Sequence, residues 1–174
     1  LGYHVDFQVV NVKNYRVPQS RQRLVLVGSL LGKLAVAKPR AGRVTVRHAI
    51  GKLASPSRTR DPMQKIVSRH NEAVAERIRL TPKDGGSWSD LPARFILKCH
   101  KQKNIGFHDV YGRLRWDDYS NTITGGCLNP SKGRFLHPEQ DRAITPREAA
   151  LLQTFPKGYL FPKLSVYLIF ATLS

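Results

Sequence analysis

The chain has 174 residues, 41% of them hydrophobic, enough to bury one sizeable core or parts of two. Its 29 Lys and Arg against 12 Asp and Glu give a net charge of +17, a surplus beyond what solubility asks of a small domain, which favours a polyanionic partner. Two cysteines and no apolar run of bilayer length exclude a disulfide-stapled scaffold and a membrane-spanning helix, and point to reduced thiols in a cytoplasmic setting.

The basic residues are spread along the chain and interleaved with Tyr, Trp, Phe and His, a pattern that favours nucleic acid over a membrane surface. From the first residues, Tyr3, Val5, Phe7 and Val9 alternate with His4, Asp6 and Gln8, which predicts a half-buried strand over 3–12. The chain opens at Leu1, partway into that strand, which reads as a piece of something longer. A loop through Asn14 and Pro18 then feeds Gln19, Arg21 and Arg23, two residues apart, into an apolar strand at 23–28. Alternation along a strand aims that amide and those two guanidiniums to one side, a planar donor set suited to a base edge or a phosphate. A basic strand edge facing water gives the same spacing.

Residues 30–57 are basic and rich in Gly, Pro and Ala, with a β-branched segment at Val44–Val46, and read as linker plus small strands. Asp61-Pro62 predicts a helix start, with Met63, Ile66, Val67, Val74 and Ile78 at helical spacing on one face. From Thr81 to Arg134, Gly and Pro punctuate short segments in which aromatic and basic residues alternate, as in Tyr111-Gly112-Arg113-Leu114-Arg115-Trp116. Such loops present side chains to a partner. Thr145-Pro146-Arg147-Glu148 is a capping box with Pro at the first turn, and the helix it opens ends at Phe155-Pro156. Leu164–Leu173 is apolar but about half a membrane span.

Three blocks in this order carry a resemblance: Asn14-Tyr15-Arg16-Val17-Pro18-Gln19-Ser20-Arg21-Gln22-Arg23, then Asp109-Val110-Tyr111-Gly112-Arg113-Leu114 through Asn121-Thr122-Ile123-Thr124-Gly125-Gly126, then Arg142-Ala143-Ile144-Thr145-Pro146-Arg147-Glu148 through Pro156. Together they resemble the C-terminal part of bacterial-type DNA cytosine-5 methyltransferases. The resemblance implies an α/β fold, the end of an S-adenosylmethionine-dependent methyltransferase-like sheet, joined to a small, irregular β-rich target-recognition domain. It divides the chain into the end of a catalytic domain at 1–29, a recognition domain at 30–140, a helix returning to the catalytic domain at 141–161 and an atypical tail at 162–174.

It also implies double-stranded DNA with a flipped cytosine as partner, S-adenosylmethionine as cofactor, a role in restriction–modification, and a bacterial, nucleoid-associated location. Flipping is needed because the reacting atoms are inaccessible inside the stack. By resemblance Arg21 and Arg23 orient the base, and Gln19, Arg113, Thr122, Thr124, Gly125, Gly126, Ser131, Lys132 and Arg134 meet DNA. The sequence departs from the family in having no Pro-Cys-Gln loop, no Glu-Asn-Val block and no glycine-rich cofactor loop. Neither Cys99 nor Cys127 stands in a nucleophile motif, so the isolated chain is expected to be inactive, with a missing N-terminal half as a further partner. Arg16 stands where the family has Gly, at a turn that left-handed backbone suits.

Cys99, His100, His108, Cys127 and His137 lack metal-ligand spacing, and no metal is expected. Two rival readings fit the same charge: a stand-alone DNA-binding module or subunit of a split enzyme, and a basic RNA-binding protein.

Overall fold

The alternation at the start of the chain builds a hairpin. In the computed structural model, which describes residues 2–101, 108–159 and 161, strand β1 (His4–Asn11) pairs antiparallel with β2 (Gln22–Ser29), with Phe7 opposite Leu26 and Val9 opposite Leu24. Both strands lie within a residue or so of their expected bounds. Their burial does not follow expectation. Val5, Phe7, Val9, Leu24 and Leu26 share one face and are 57–68% exposed, so the apolar side of a strand read as half-buried is bare. On the polar side, the Asp6 carboxylate accepts from the Val36 amide (2.9 Å) and the Tyr15 hydroxyl donates to the Ala37 carbonyl (2.8 Å), which ties down the chain leaving β2.

Residues 44–46, expected as strand, instead open α1 (Val46–Ile50). Strand propensity loses to burial here: Val46 and Ile50, four apart on one helix face, pack into the main core against the helix at 146–152. The helix expected from Asp61 is a single turn, held by the Asp61 carboxylate accepting from the Met63 amide (2.9 Å). The continuous helix α2 spans Glu72–Leu80, because the Asn71 side chain caps it by accepting from the Val74 amide (2.9 Å). Val74 and Ile78 keep the inward face predicted for them, packed with Leu136 and Ala143.

α3 (Pro146–Leu152) begins and is capped as its sequence predicts: the Thr145 hydroxyl accepts from the Glu148 amide (3.1 Å) and the Glu148 carboxylate accepts from the Thr145 amide (2.9 Å). All seven of its residues are buried. Its core joins Val46 and Ile50 to Leu114, Trp116, Ile123, Phe135 and Ile144. The helix stops at Gln153, and Thr154 turns the chain away in a left-handed conformation (φ 65°).

A polar network locks α3 to the turn at 61–65. Arg142 pairs bidentately with Glu148 (2.7 and 2.8 Å), Gln64 donates to the same carboxylate (2.9 Å), and the Thr145 hydroxyl donates to the Gln64 carbonyl (2.5 Å). Burial alone would raise the Glu148 carboxyl, but Arg142 beside it holds it below its ordinary value. Arg147 reaches the Asp61 carboxylate and the Tyr159 carbonyl.

Among the described residues of 30–140 there is no continuous strand, only isolated bridges such as Arg113 with Leu136, so the β-rich character expected there is absent. Short helices and single turns hold this region together. The only described sheet is the two-stranded hairpin, and no described helix is long and apolar enough to cross a membrane. The apolar segment at 164–173 lies outside the described residues.

Candidate nucleic-acid interface

The Asn11 side chain fixes the neck of the hairpin, accepting from the Lys13 and Arg21 amides (3.2 and 3.1 Å) and donating to the Ser20 hydroxyl (3.2 Å). The turn between the strands passes through Arg16, which takes the left-handed conformation (φ 64°, ψ 29°) that its place in the sequence called into question. Beyond it, residues 18–21 run beside the segment Ser120–Ile123. The Ser120 amide and hydroxyl both donate to the Pro18 carbonyl (3.0 Å each), the Ser20 amide to the Ser120 carbonyl (2.8 Å), and the Thr122 hydroxyl to the Ser20 carbonyl (3.1 Å).

Gln19 and Arg21 complete this seam. The Gln19 side chain, 2% exposed, accepts from the Ile123 amide (3.2 Å), and the Arg21 guanidinium donates to the Ile123 carbonyl (3.3 Å). They therefore share a side, as their spacing predicts, but they spend it on protein backbone. Arg23 does not join them. It is exposed and donates to the Gln22 carbonyl (2.6 Å).

One wall of an open cleft of about 670 Å³ is formed by this seam. Thr122, Thr124, Lys132 and Arg134 line it with Lys13, Tyr119 and Asn121. Gly125 and Gly126 do not line it; they make the turn after Thr124, closed by the Cys127 amide on the Thr124 carbonyl (3.3 Å), and Gly126 supplies its left-handed residue (φ 78°). Ser131 lies just outside, exposed, with its hydroxyl on the Asn129 side chain (2.8 Å).

Two expected DNA contacts are structural residues. Arg113 is fully buried, and its guanidinium donates to the carbonyls of Thr81 (2.9 Å), His137 (3.0 Å), Gln140 (2.8 Å) and Ile78 (2.6 Å) and to Asp141 (2.6 Å). No N–H is left for a phosphate. Burial lowers its pKa, with Asp141 opposing that shift. Arg134 lines the cleft but is held by Asp109 (3.0 Å) and by the carbonyls of Gly85 (2.7 Å) and Arg113 (2.9 Å). Tyr111 and Trp116, read as presented to a partner, are buried as well.

The acids of the cleft are neutralised in place: Asp109 by Arg134 and Asp118 by Arg43. Lys13 and Lys132 make no ion pair among the described residues, so the cleft presents uncompensated positive charge among hydroxyls and an amide. That combination binds anionic, hydrogen-bonding ligands. Among the described residues its lining holds no cysteine thiol. Cys127 is buried, and burial pushes its thiol up to about 12, leaving it protonated. Cys99 is exposed and outside the cleft lining. Among the described residues no group of His, Cys, Asp and Glu could hold a metal ion. Sequence reasoning missed Asn11, Lys13 and Tyr119; Ser120 and Asn121 lie inside a block of which it singles out Arg113, Thr122, Thr124, Gly125 and Gly126.

Residues 1–171 match the model of the C-5 cytosine-specific DNA methylases. The chain belongs to this family. Among its relatives, the Type II methylase M.HgiDII of Herpetosiphon aurantiacus is 42% identical, over 92% of this chain and 47% of its own length. The Type II methyltransferase M.PspPI of a Psychrobacter species is 32% identical over 92% of this chain and 40% of its own length. The chain thus spans under half the length of these methylases. A solved E. coli structure, described as a DNA modification methyltransferase encoded within a prophage, shares the fold with a TM-score of 0.58 at 20% identity, covering 92% of this chain and 52% of that one.

Proposed function

We propose that this C-5 cytosine-specific methylase chain supplies the DNA-recognising part of a DNA cytosine-5 methyltransferase in a restriction–modification system. The observation that carries the reading is the seam between residues 18–21 and 120–123, which makes one wall of a positively charged, hydroxyl-lined cleft. The partner is double-stranded DNA from which a cytosine is flipped. Thr122, Thr124 and Lys132 meet the backbone and groove edges, while Arg21, braced on Ile123, sets the strand that presents Arg23 to the flipped base. A guanidinium there offsets negative charge that develops on the ring.

S-adenosylmethionine would supply the methyl group. The cleft suits it poorly, since charged and hydroxyl side chains dominate its lining and the two apolar ones, Val110 and Phe135, are themselves buried. The methyl donor and the nucleophile belong instead to a further portion of polypeptide, which packs on the bare face of Val5, Phe7, Val9, Leu24 and Leu26. On this reading the chain by itself transfers no methyl group, and cytosine methylation by the purified chain alone would overturn that part.

The binding role is tested by titrating the chain against cytosine-containing duplexes and matched RNA over a salt series. Tighter binding to DNA, weakening with salt, is expected. Equal affinity for RNA would overturn it and favour general polyanion binding.

A further inference from the structure

Between Leu30 and Arg60 there are eight Lys and Arg and no Asp or Glu, and all eight are exposed. The fold gathers part of this run with the hairpin turn. The Arg40 amide donates to the Asn14 carbonyl (2.8 Å), and the Arg16 Nε lies 3.9 Å from where a Cβ on Gly42 would stand. The Arg43 guanidinium and the Lys13 ammonium lie over the Tyr119 ring, 5.1 and 5.6 Å from its centroid. Arg47 follows, over the Trp116 ring at 5.3 Å and paired with Asp117 (2.7 Å).

The result is a ridge of five cations, Lys13, Arg16, Arg40, Arg43 and Arg47, facing two carboxylates, Asp117 and Asp118. The aromatic rings hold several of these long side chains in place, so less freedom is lost when a ligand arrives. Tyr119 and Lys13 also line the cleft, so the ridge is continuous with it. Arg16 even occupies the left-handed conformation that disfavours a non-glycine residue (φ 64°), and neither Arg16 nor Arg40 makes an ion pair among the described residues.

We infer that this ridge holds the phosphates of duplex DNA flanking the recognised site, as a sequence-independent extension of the cleft. The inference rests on the DNA-binding reading above. A polyphosphate track suits it because these exposed cations gather beside the cleft and join it at Lys13 and Tyr119.

The test uses the full chain, an Arg16→Gly/Arg40→Gln variant and a charge-retaining Arg16→Lys/Arg40→Lys variant. Each is titrated against a short duplex and one extended by about one helical turn (about 10 base pairs). Wild type is expected to bind the extended duplex more tightly and with a steeper salt dependence. Loss of two phosphate contacts lowers the log–log salt slope by about 1.8, or about 12-fold less loss of affinity between 50 and 200 mM salt. The Gly/Gln variant should lose a large part of the gain from the extension while binding the short duplex as wild type does, and the Lys variant should keep that gain.

Thermal melts of both variants check the fold, and Gly at the left-handed position should leave it intact. An unchanged slope and extension gain in the folded Gly/Gln variant would overturn the ridge while leaving the cleft reading standing. Failure of wild type to prefer DNA over a matched RNA duplex would overturn both.

Discussion

Removing the Arg113 guanidinium should unfold this region, with any loss of DNA affinity following from that. In Arg113→Met the carbonyls of Thr81, His137 and Ile78, all in buried hydrogen bonds, and that of Gln140, in a part-buried one, lose their donor together. Each buried polar group left unpaired costs about 1–3 kcal/mol, so the three buried carbonyls alone cost about 3–9 kcal/mol. A domain's whole stability is about 5–15 kcal/mol. Lysine offers at most three donors and no planar fork, so Arg113→Lys should fall between wild type and Arg113→Met. Urea unfolding followed by circular dichroism measures this directly. An unfolding free energy within about 0.5 kcal/mol of wild type for Arg113→Met, together with uniformly weaker DNA binding, would refute the buried placement and restore Arg113 as a phosphate contact.

Glu148→Gln leaves Arg142 as a buried cation without its counter-charge and should cost about 3–5 kcal/mol, read as a lowered urea midpoint. His137 is held neutral by burial, its pKa lowered from 6.5 to about 4, so the unfolded chain takes up its proton first as pH falls. The stabilisation is therefore complete above pH 6.5 and is lost toward pH 4, about 2 kcal/mol of it by pH 5. His137→Gln, which can still accept from the Glu139 and Gln140 amides, should flatten that part of the pH–stability curve. Arg16→Gly relieves the left-handed strain at φ 64° and should raise the unfolding free energy from urea melts by about 0.5–1 kcal/mol, whereas Arg16→Ala should not.

What was legible in the sequence is what local chemistry decides. The Thr145–Glu148 capping box places α3 because both of its partners lie three residues apart. Apolar alternation finds β1 and β2, since the pattern and the turn are local too. It cannot show which face is covered, and here the apolar face is bare. Helix α1 was hidden because Val44 and Val46 favour strands until Val46 and Ile50 bury together. At Asp61-Pro62 a genuine cap starts only one turn, because Gln64 is drawn into the α3 network and Asn71 caps the longer helix downstream.

The site was legible by residue but not by contact. Gln19 and Thr122 were each named, but the bond from the Ile123 amide to Gln19 spans 104 residues, and no spacing rule reaches that far. Arg113 and Arg134 show the opposite failure. Both sit in loop-like, basic sequence, and each is consumed by carbonyls from distant segments. An arginine's role is set by whether such carbonyls converge on it, which composition does not record.

The central claim is that the cleft beside the 18–21 and 120–123 seam recognises DNA. Selection from a random duplex pool by the chain, with Lys132→Gln/Thr124→Ala as comparison, tests it most directly. Enrichment of one cytosine-containing motif by wild type, lost in the variant while its melting temperature is kept, is the result expected. An unenriched pool, or the same motif enriched equally by both proteins, would contradict it.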